Sequence, residues 1–308
     1  MDYIRCYFSG KRDKARGKAG TVTADAPVRR RLIGGALRRY RENVGYALED
    51  AARVLECDRS KISRIETGQR GIRPKELREL LAEYGVPASE QLALVSIAGR
   101  GSPRSWWHPF AGILPDAYLD YVIMEWAASE IMTYQAQLIP GLLQTDEYAR
   151  ALAAAEPGYA TDEQREDVVA AGATRRQAVL DGRRLSVVLG EGALLQAVGG
   201  PDVMARQLRH LAGLADQAGV TLQVLPFSAG AHGAAGGGSL AILRFPDAPS
   251  LGVVYLEALS GGVYLESQQD VARYIRAFAL LRGAALSTAD SVRLLSTYGA
   301  KGPTEPRA

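Results

Sequence analysis

The sequence predicts two domains of different class, a five-helix all-α domain followed by an α+β domain. Three observations carry this expectation. The chain has 308 residues, enough for about two domains at ~150 residues each. Its charge is unevenly divided: residues 1–104 hold 22 basic and 13 acidic side chains, a balance of +9, while residues 105–308 balance at −6. The apolar pattern also changes near residue 110, from short helical stripes to helical stripes mixed with β-like runs.

Composition narrows the class of protein. Hydrophobic residues make up 47% and charged residues 23%, a globular balance able to bury a core. No apolar run approaches the ~18 residues of a membrane span, and the first ten residues lack a secretory apolar core. The two cysteines, Cys6 and Cys57, build neither a disulfide framework nor a cysteine zinc site, and a reducing cytoplasm is the default compartment. His108, His210 and His232 show no metal-ligand spacing. No metal and no cofactor is expected.

The elements follow in order. Residues 1–27 read as a disordered basic arm, with five positive charges between Lys11 and Lys18. This arm is either a solvated tail or a strand lying along DNA phosphates; a translation start at Val22 is the third reading. Residues 28–99 hold five short helices. The first, about Arg29 to Asn43, aligns Leu32, Ile33, Ala36, Leu37 and Tyr40 and ends at Gly45. The second runs from Leu48 to Leu55. The third runs from Arg59 to Thr67, with Asp58 as N-cap. Pro74 opens the fourth, and the fifth spans Ser89 to Ala98. Residues 100–109 are the linker, whose Trp106 and Trp107 are expected to cap the second core.

Residues 110–300 form the α+β domain, and 301–308 a tail. Helices are expected at 115–133, 145–155, 162–181, 201–218, 268–284 and 288–297. Strands are expected at Leu185–Leu189, Val220–Leu225, Leu240–Phe245, Val253–Leu256 and Gly262–Leu265. Tyr255-Leu-Glu257 echoes Tyr264-Leu-Glu266, as two adjacent strands of one hairpin would. Ala231–Ser239 is glycine-rich and reads as a mobile loop.

The stretch Leu48–Gly68 carries the functional expectation. Ala52 is small enough to let two helices cross closely. Leu55, Ile62 and Ile65 lock the second helix on the first. The opposite face holds Arg59, Ser60, Ser63 and Arg64, flanked by Lys61. Such a face enters a major groove ~12 Å wide. Arg59 and Arg64 have the fork that bonds guanine, and Ser60 and Ser63 reach bases or phosphates. Lys61, Arg70 and Arg73 suit phosphates. Glu66, negative beside a polyanion, is assigned to the fold, paired with Arg38 or Arg41.

The block Ser60-Lys-Ile-Ser-Arg-Ile-Glu-Thr-Gly68, with Leu37–Glu42, Gly45 and Ala52 before it, resembles the Cro/repressor-type (Xre) helix-turn-helix family. Three positions depart from it: Glu56 stands at the turn glycine, Cys57 follows, and Ala47 replaces the usual Ser/Thr cap, a loss of ~1 kcal/mol. In the second half, Pro140-Gly-Leu-Leu-Gln-Thr145, Tyr148-Ala149, Gln207-Leu-Arg-His-Leu211, Val224-Leu-Pro-Phe227, Gly230-Ala-His232 and Tyr255-Leu-Glu257 resemble the C-terminal domain of WhiJ-like, antitoxin-like regulators of the DUF5753 type. The 31 arginines against 6 lysines agree with the GC-rich genomes in which these occur. The resemblances imply an all-α helix-turn-helix domain plus an α+β domain, a cytoplasmic homodimer on double-stranded DNA, and a small partner protein bound by the second domain. They imply no catalytic residue.

No nucleophile elbow, phosphate loop, dinucleotide fingerprint or H-x-x-x-H occurs, and the chain is read as a non-enzyme. Two alternatives stand beside the regulator: an interaction adaptor with secondary DNA contacts, and a DNA-tethered enzyme using Glu257 and Glu266. Strand alternation places Tyr255 with Glu257, and Tyr264 with Glu266, on one face, from which the two carboxylates would share a pocket.

Overall fold

A computed structural model describes residues 27–98, 108–110, 113–114, 116–156, 158, 161–180, 182–215, 217–245, 251–258 and 262–301. Residues 1–26 of the expected basic arm, 302–308 of the expected tail, and the two linker tryptophans lie outside the described residues.

The first domain is helical throughout: α1 (Val28–Asn43), α2 (Leu48–Val54), α3 (Arg59–Glu66), α4 (Pro74–Glu83) and α5 (Ala88–Ala98). Leu32, Ile33, Ala36 and Leu37 of α1 are buried, as are Ile62 and Ile65 of α3 and Leu77, Leu80 and Leu81 of α4. The α1–α3 crossing is close because Gly34 has no side chain: a Cβ there would stand 2.3 Å from the Ile65 carbonyl oxygen. Pro74 occupies the first position of α4, where its missing N–H costs nothing.

The second domain is built on a six-stranded mixed sheet. Its strands are β1 (Glu130–Gln135), β2 (Arg184–Gly190), β3 (Val220–Leu225), β4 (Leu240–Arg244), β5 (Gly252–Leu256) and β6 (Val263–Leu265). The spatial order is β3-β2-β1-β4-β5-β6. The β3, β2 and β1 strands are parallel; β4, β5 and β6 continue antiparallel. Helices α7 (Asp146–Ala155) and α8 (Asp162–Leu180) cross from β1 to β2. A short α9 (Gly192–Leu195) and α10 (Pro201–Leu214) cross from β2 to β3. Helix α6 (Asp116–Ala127) precedes the sheet; α11 (Gln268–Ala284) and α12 (Thr288–Lys301) follow it.

Strand alternation sorts the core into two layers. Ile131, Val187, Leu222, Leu243 and Val253 join one cluster with residues of α6, α7, α8, α10 and α12. Met132, Val188, Ile242 and Val254 meet Phe278 and Leu281 of α11 on the other side.

One expected element is corrected. Residues 115–133 are not a single helix: α6 ends at Ala127, and Glu130–Gln135 is β1, near the sheet centre. A central strand is buried on both faces, so its apolar run lacks the alternation that marks an edge strand. Ser129 fixes the switch, its N–H donating to the Arg244 carbonyl at 3.1 Å.

The domains share one buried cluster, from Leu37 and Ile97 through Tyr121 and Met124. Two ion pairs stitch α1 to the second domain. Arg29 Nε donates to Asp120 Oδ1 at 2.7 Å, and its Nη1 to the Ile97 carbonyl at 3.0 Å. Both charged side chains are buried. Arg31 donates through Nε and Nη2 to Glu266 Oε1 at 3.1 and 2.5 Å.

Candidate nucleic-acid interface

The site is the outer face of α3. Ile62 and Ile65 are buried beneath it, Ala52 of α2 is buried beside it, and Leu55 packs partly buried against the same core. Arg59, Ser60 and Arg64 are exposed and Ser63 is half-buried. Arg70 and Arg73, in the segment leading to α4, are exposed too. The periodicity at Ile62 and Ile65 thus divides α3 into an anchoring side and a polar, cationic side.

Glu66 anchors the C-terminal end of the helix. Its carboxylate accepts Arg41 Nε at 2.6 Å and Arg41 Nη2 at 2.9 Å, a two-point pair that is almost fully buried. Arg41 also donates to the Tyr46 carbonyl at 2.7 Å. The bond to Glu66 raises the Arg41 guanidinium further above its ordinary value, against the opposing effect of burial. Of the two partners expected for Glu66, the fold uses Arg41; Arg38 pairs with Glu42 on the surface.

The turn between α2 and α3 shows what the departures from the family pattern do. Glu56 takes φ +47°, the left-handed conformation that glycine adopts freely. The Cys57 N–H reaches back to the Ala52 carbonyl at 2.9 Å, and the Glu56 N–H to Arg53 at 3.2 Å, so α2 closes in the hydrogen-bond pattern of a glycine cap. The turn keeps its geometry, and Glu56 bears the strain. At the other end of α2, Ala47 has no side-chain acceptor, but Asp50 Oδ2 accepts the Ala47 N–H at 2.7 Å. At α3, Asp58 occupies the N-cap position without making a side-chain cap bond.

Three predicted contact residues have side chains engaged within the protein, Arg64 through its Nε, which donates to the Ser60 carbonyl at 3.2 Å. Arg59 Nη1 meets Glu49 Oε1 at 2.8 Å, with both side chains more than half exposed. Such a pair is weak and leaves the guanidinium open to a stronger acceptor. Glu49 is held below the usual carboxylate range by its own backbone N–H first and by Arg59 second. Lys61 differs: its Nζ lies 2.7 Å from Glu76 Oε1, and its side chain is only 18% exposed. It ties α3 to the first turn of α4. Burial would raise the Glu76 carboxyl, yet Lys61 and the Arg73 backbone N–H bring it below its ordinary value.

Sequence reasoning did not find the contacts joining the domains, Arg29 with Asp120 and Arg31 with Glu266. Each couples residues far apart in the chain, and no local signal marks them. The motif strings of the second half make internal bonds. The Thr145 N–H donates to Gln207 Oε1 at 2.7 Å, while Gln207 Nε2 donates to the Leu143 carbonyl at 2.7 Å. Glu191 accepts the Phe227 N–H and the Tyr298 hydroxyl, both at 2.8 Å. His232 Nδ1 accepts the Ala234 N–H at 3.3 Å.

Glu257 and Glu266 do not share a pocket. Tyr255 pairs with Tyr264 in antiparallel register, so the two carboxylates lie beyond opposite ends of that pair, about 13 Å apart along the strands at ~3.3 Å per residue. Glu266 turns to Arg31 and Glu257 is exposed. Among the described residues no cluster of His, Cys, Asp or Glu has the makings of a metal site, and no helix is long and apolar enough to cross a membrane.

A short helix packed on a second across a tight turn, with a cationic outer face, defines a helix-turn-helix DNA-binding regulator. Comparison with protein families agrees: residues 32–94 match a helix-turn-helix domain model. Residues 118–297, more than half of the chain, match a domain of unknown function, DUF5753, and the chain belongs to that family. No curated protein and no solved structure matches it.

Proposed function

We propose that the protein is a sequence-specific transcription regulator of the Xre, antitoxin-like kind, acting on the chromosome in the cytoplasm. Arg59, Ser60, Ser63 and Arg64 read base edges in the major groove; Arg70 and Arg73 hold phosphates, joined by Lys61 when it leaves Glu76. The observation that carries this reading is the division of α3, with Ile62, Ile65 and Glu66 locked inside and the arginine–serine face outside. The protein acts as a homodimer, whose half-sites would lie ~34 Å apart. The second domain receives the signal, a small partner protein or ligand, and is not catalytic. The separation of Glu257 from Glu266 and the ion pair that occupies Glu266 support the non-catalytic part.

The test is fluorescence anisotropy of the full chain on the DNA upstream of its own gene, against a scrambled duplex, at two salt concentrations. The reading expects binding ~10³-fold or more tighter to the natural sequence, falling steeply with salt. Equal, weak binding to both duplexes would favour the adaptor instead.

A further inference from the structure

The second domain contains a cleft of about 210 Å³ with no assigned role. Its floor is the sheet face carrying Ile131, Leu185, Val187 and Ala241, and the Pro140–Gln144 turn closes over it. The body of the cleft is therefore apolar.

Its deep wall is charged but satisfied. Arg175 Nε and Nη2 bond both oxygens of Glu125, at 2.6 and 2.7 Å, and Nη1 donates to the Tyr118 hydroxyl at 2.6 Å. The Tyr121 hydroxyl donates to Glu125 at 2.9 Å. Both charges are buried, and they cancel. Burial opposes the Arg175 charge, but Glu125 keeps the guanidinium protonated.

The rim is rich in acceptors. Gln135 and Gln144 give amide N–H groups to Thr133 Oγ1 and to the Ile139 carbonyl, at 3.3 and 2.7 Å. Their carbonyl oxygens have no partner among the described residues. Glu257, exposed at the mouth, has no ion-pair partner there either, and it leaves the lining with one net negative charge. Beside it Tyr255, raised by burial and then by Glu257, lies stacked on Tyr121 with centroids 4.4 Å apart.

We propose that this cleft binds a small amphipathic amine, its apolar body on the sheet and its ammonium between Glu257 and the glutamine carbonyls. An ammonium can donate to these carbonyl oxygens and cancels the charge of Glu257. A carboxylate ligand would meet Glu257 at the mouth and an arginine already saturated by Glu125. Tyr255 also meets Tyr264, 5.0 Å away and tilted by 48°, in the strand that leads to Glu266 and so to Arg31 of α1. The ligand thus sits near the junction with the helical domain.

Benzylamine is the probe, with benzyl alcohol as neutral isostere and benzoate as anion. Each is titrated into the full-length protein at pH 7 and followed by thermal shift and saturation-transfer NMR, with no DNA present. Saturable benzylamine binding at millimolar concentration is expected, with no binding of benzoate. Glu257→Gln is expected to weaken benzylamine about 10-fold, the loss of one charged hydrogen bond, toward the level of benzyl alcohol. Glu163→Gln, at an exposed site in α8, is expected to leave it unchanged. Absence of saturable benzylamine binding, equal binding of benzoate, or an equal effect of the two substitutions would overturn the proposal.

Discussion

Two arginines, Arg59 on α3 and Arg175 on α8, show opposite uses of the same side chain. Arg59 is 70% exposed, and its partner, Glu49, is 55% exposed. Arg175 is 9% exposed and grips a carboxylate that is 1% exposed. The first is held by its helix and by one solvated pair, and its remaining donors are open to a base edge or phosphate. The second holds its domain together, and its donors are committed. A positively charged residue therefore announces a partner only when the fold leaves its hydrogen bonds open, and exposure separates the two cases where composition does not.

The comparison is broken most severely by removing the buried charge. Arg175→Ala strands Glu125 in the core and is expected to cost about 3–5 kcal/mol, read as a shift of the denaturation midpoint of the full chain. Arg59→Ala, by contrast, is expected to change stability by no more than about 0.5 kcal/mol. Similar losses from both would erase the distinction. A smaller effect sharpens the account of the turn beneath α3. Glu56→Gly relieves a left-handed residue and is expected to stabilise the helical domain by about 1 kcal/mol; a destabilisation would mean that the Glu56 side chain has a use of its own.

The smallest expected effect concerns pH. Because the folded Glu76 carboxyl lies below its ordinary value, its contribution is complete above the unfolded value of 4.5 and is lost as pH falls through the lower folded value. The pair with Lys61 is partly solvated, and its worth is about 1 kcal/mol or less. Urea midpoints measured from pH 7 down to pH 3 should therefore fall less in Glu76→Gln than in the unaltered protein. Parallel curves would remove Glu76 from the acid response.

Helix α3 was legible because its signal is local. Ile62 and Ile65, three residues apart, fix the buried side and thereby the exposed one. Glu66 was legible as a residue of the fold, and its partner was narrowed to one helix. The strand β1 was not legible, since a strand buried on both faces carries no alternation. The cleft was not legible either: Glu125 and Arg175 are fifty residues apart and meet only through the crossover from β1 to β2. Alternation placed Tyr255 and Glu257 on one side of their strand, but the antiparallel register, which alternation does not encode, sends Glu257 and Glu266 in opposite directions. The two arginines that bind α1 to the second domain sit in an ordinary basic stretch, and nothing nearby points to Asp120 or Glu266.

The central claim is that the open face of α3 reads sequence. It is tested most directly by measuring Arg59→Ala and the unaltered protein on the upstream duplex and on a scrambled one. The account predicts a loss of about 1–3 kcal/mol on the natural sequence with little change on the scrambled duplex, so that discrimination narrows. An equal loss on both duplexes, or none on either, would contradict it.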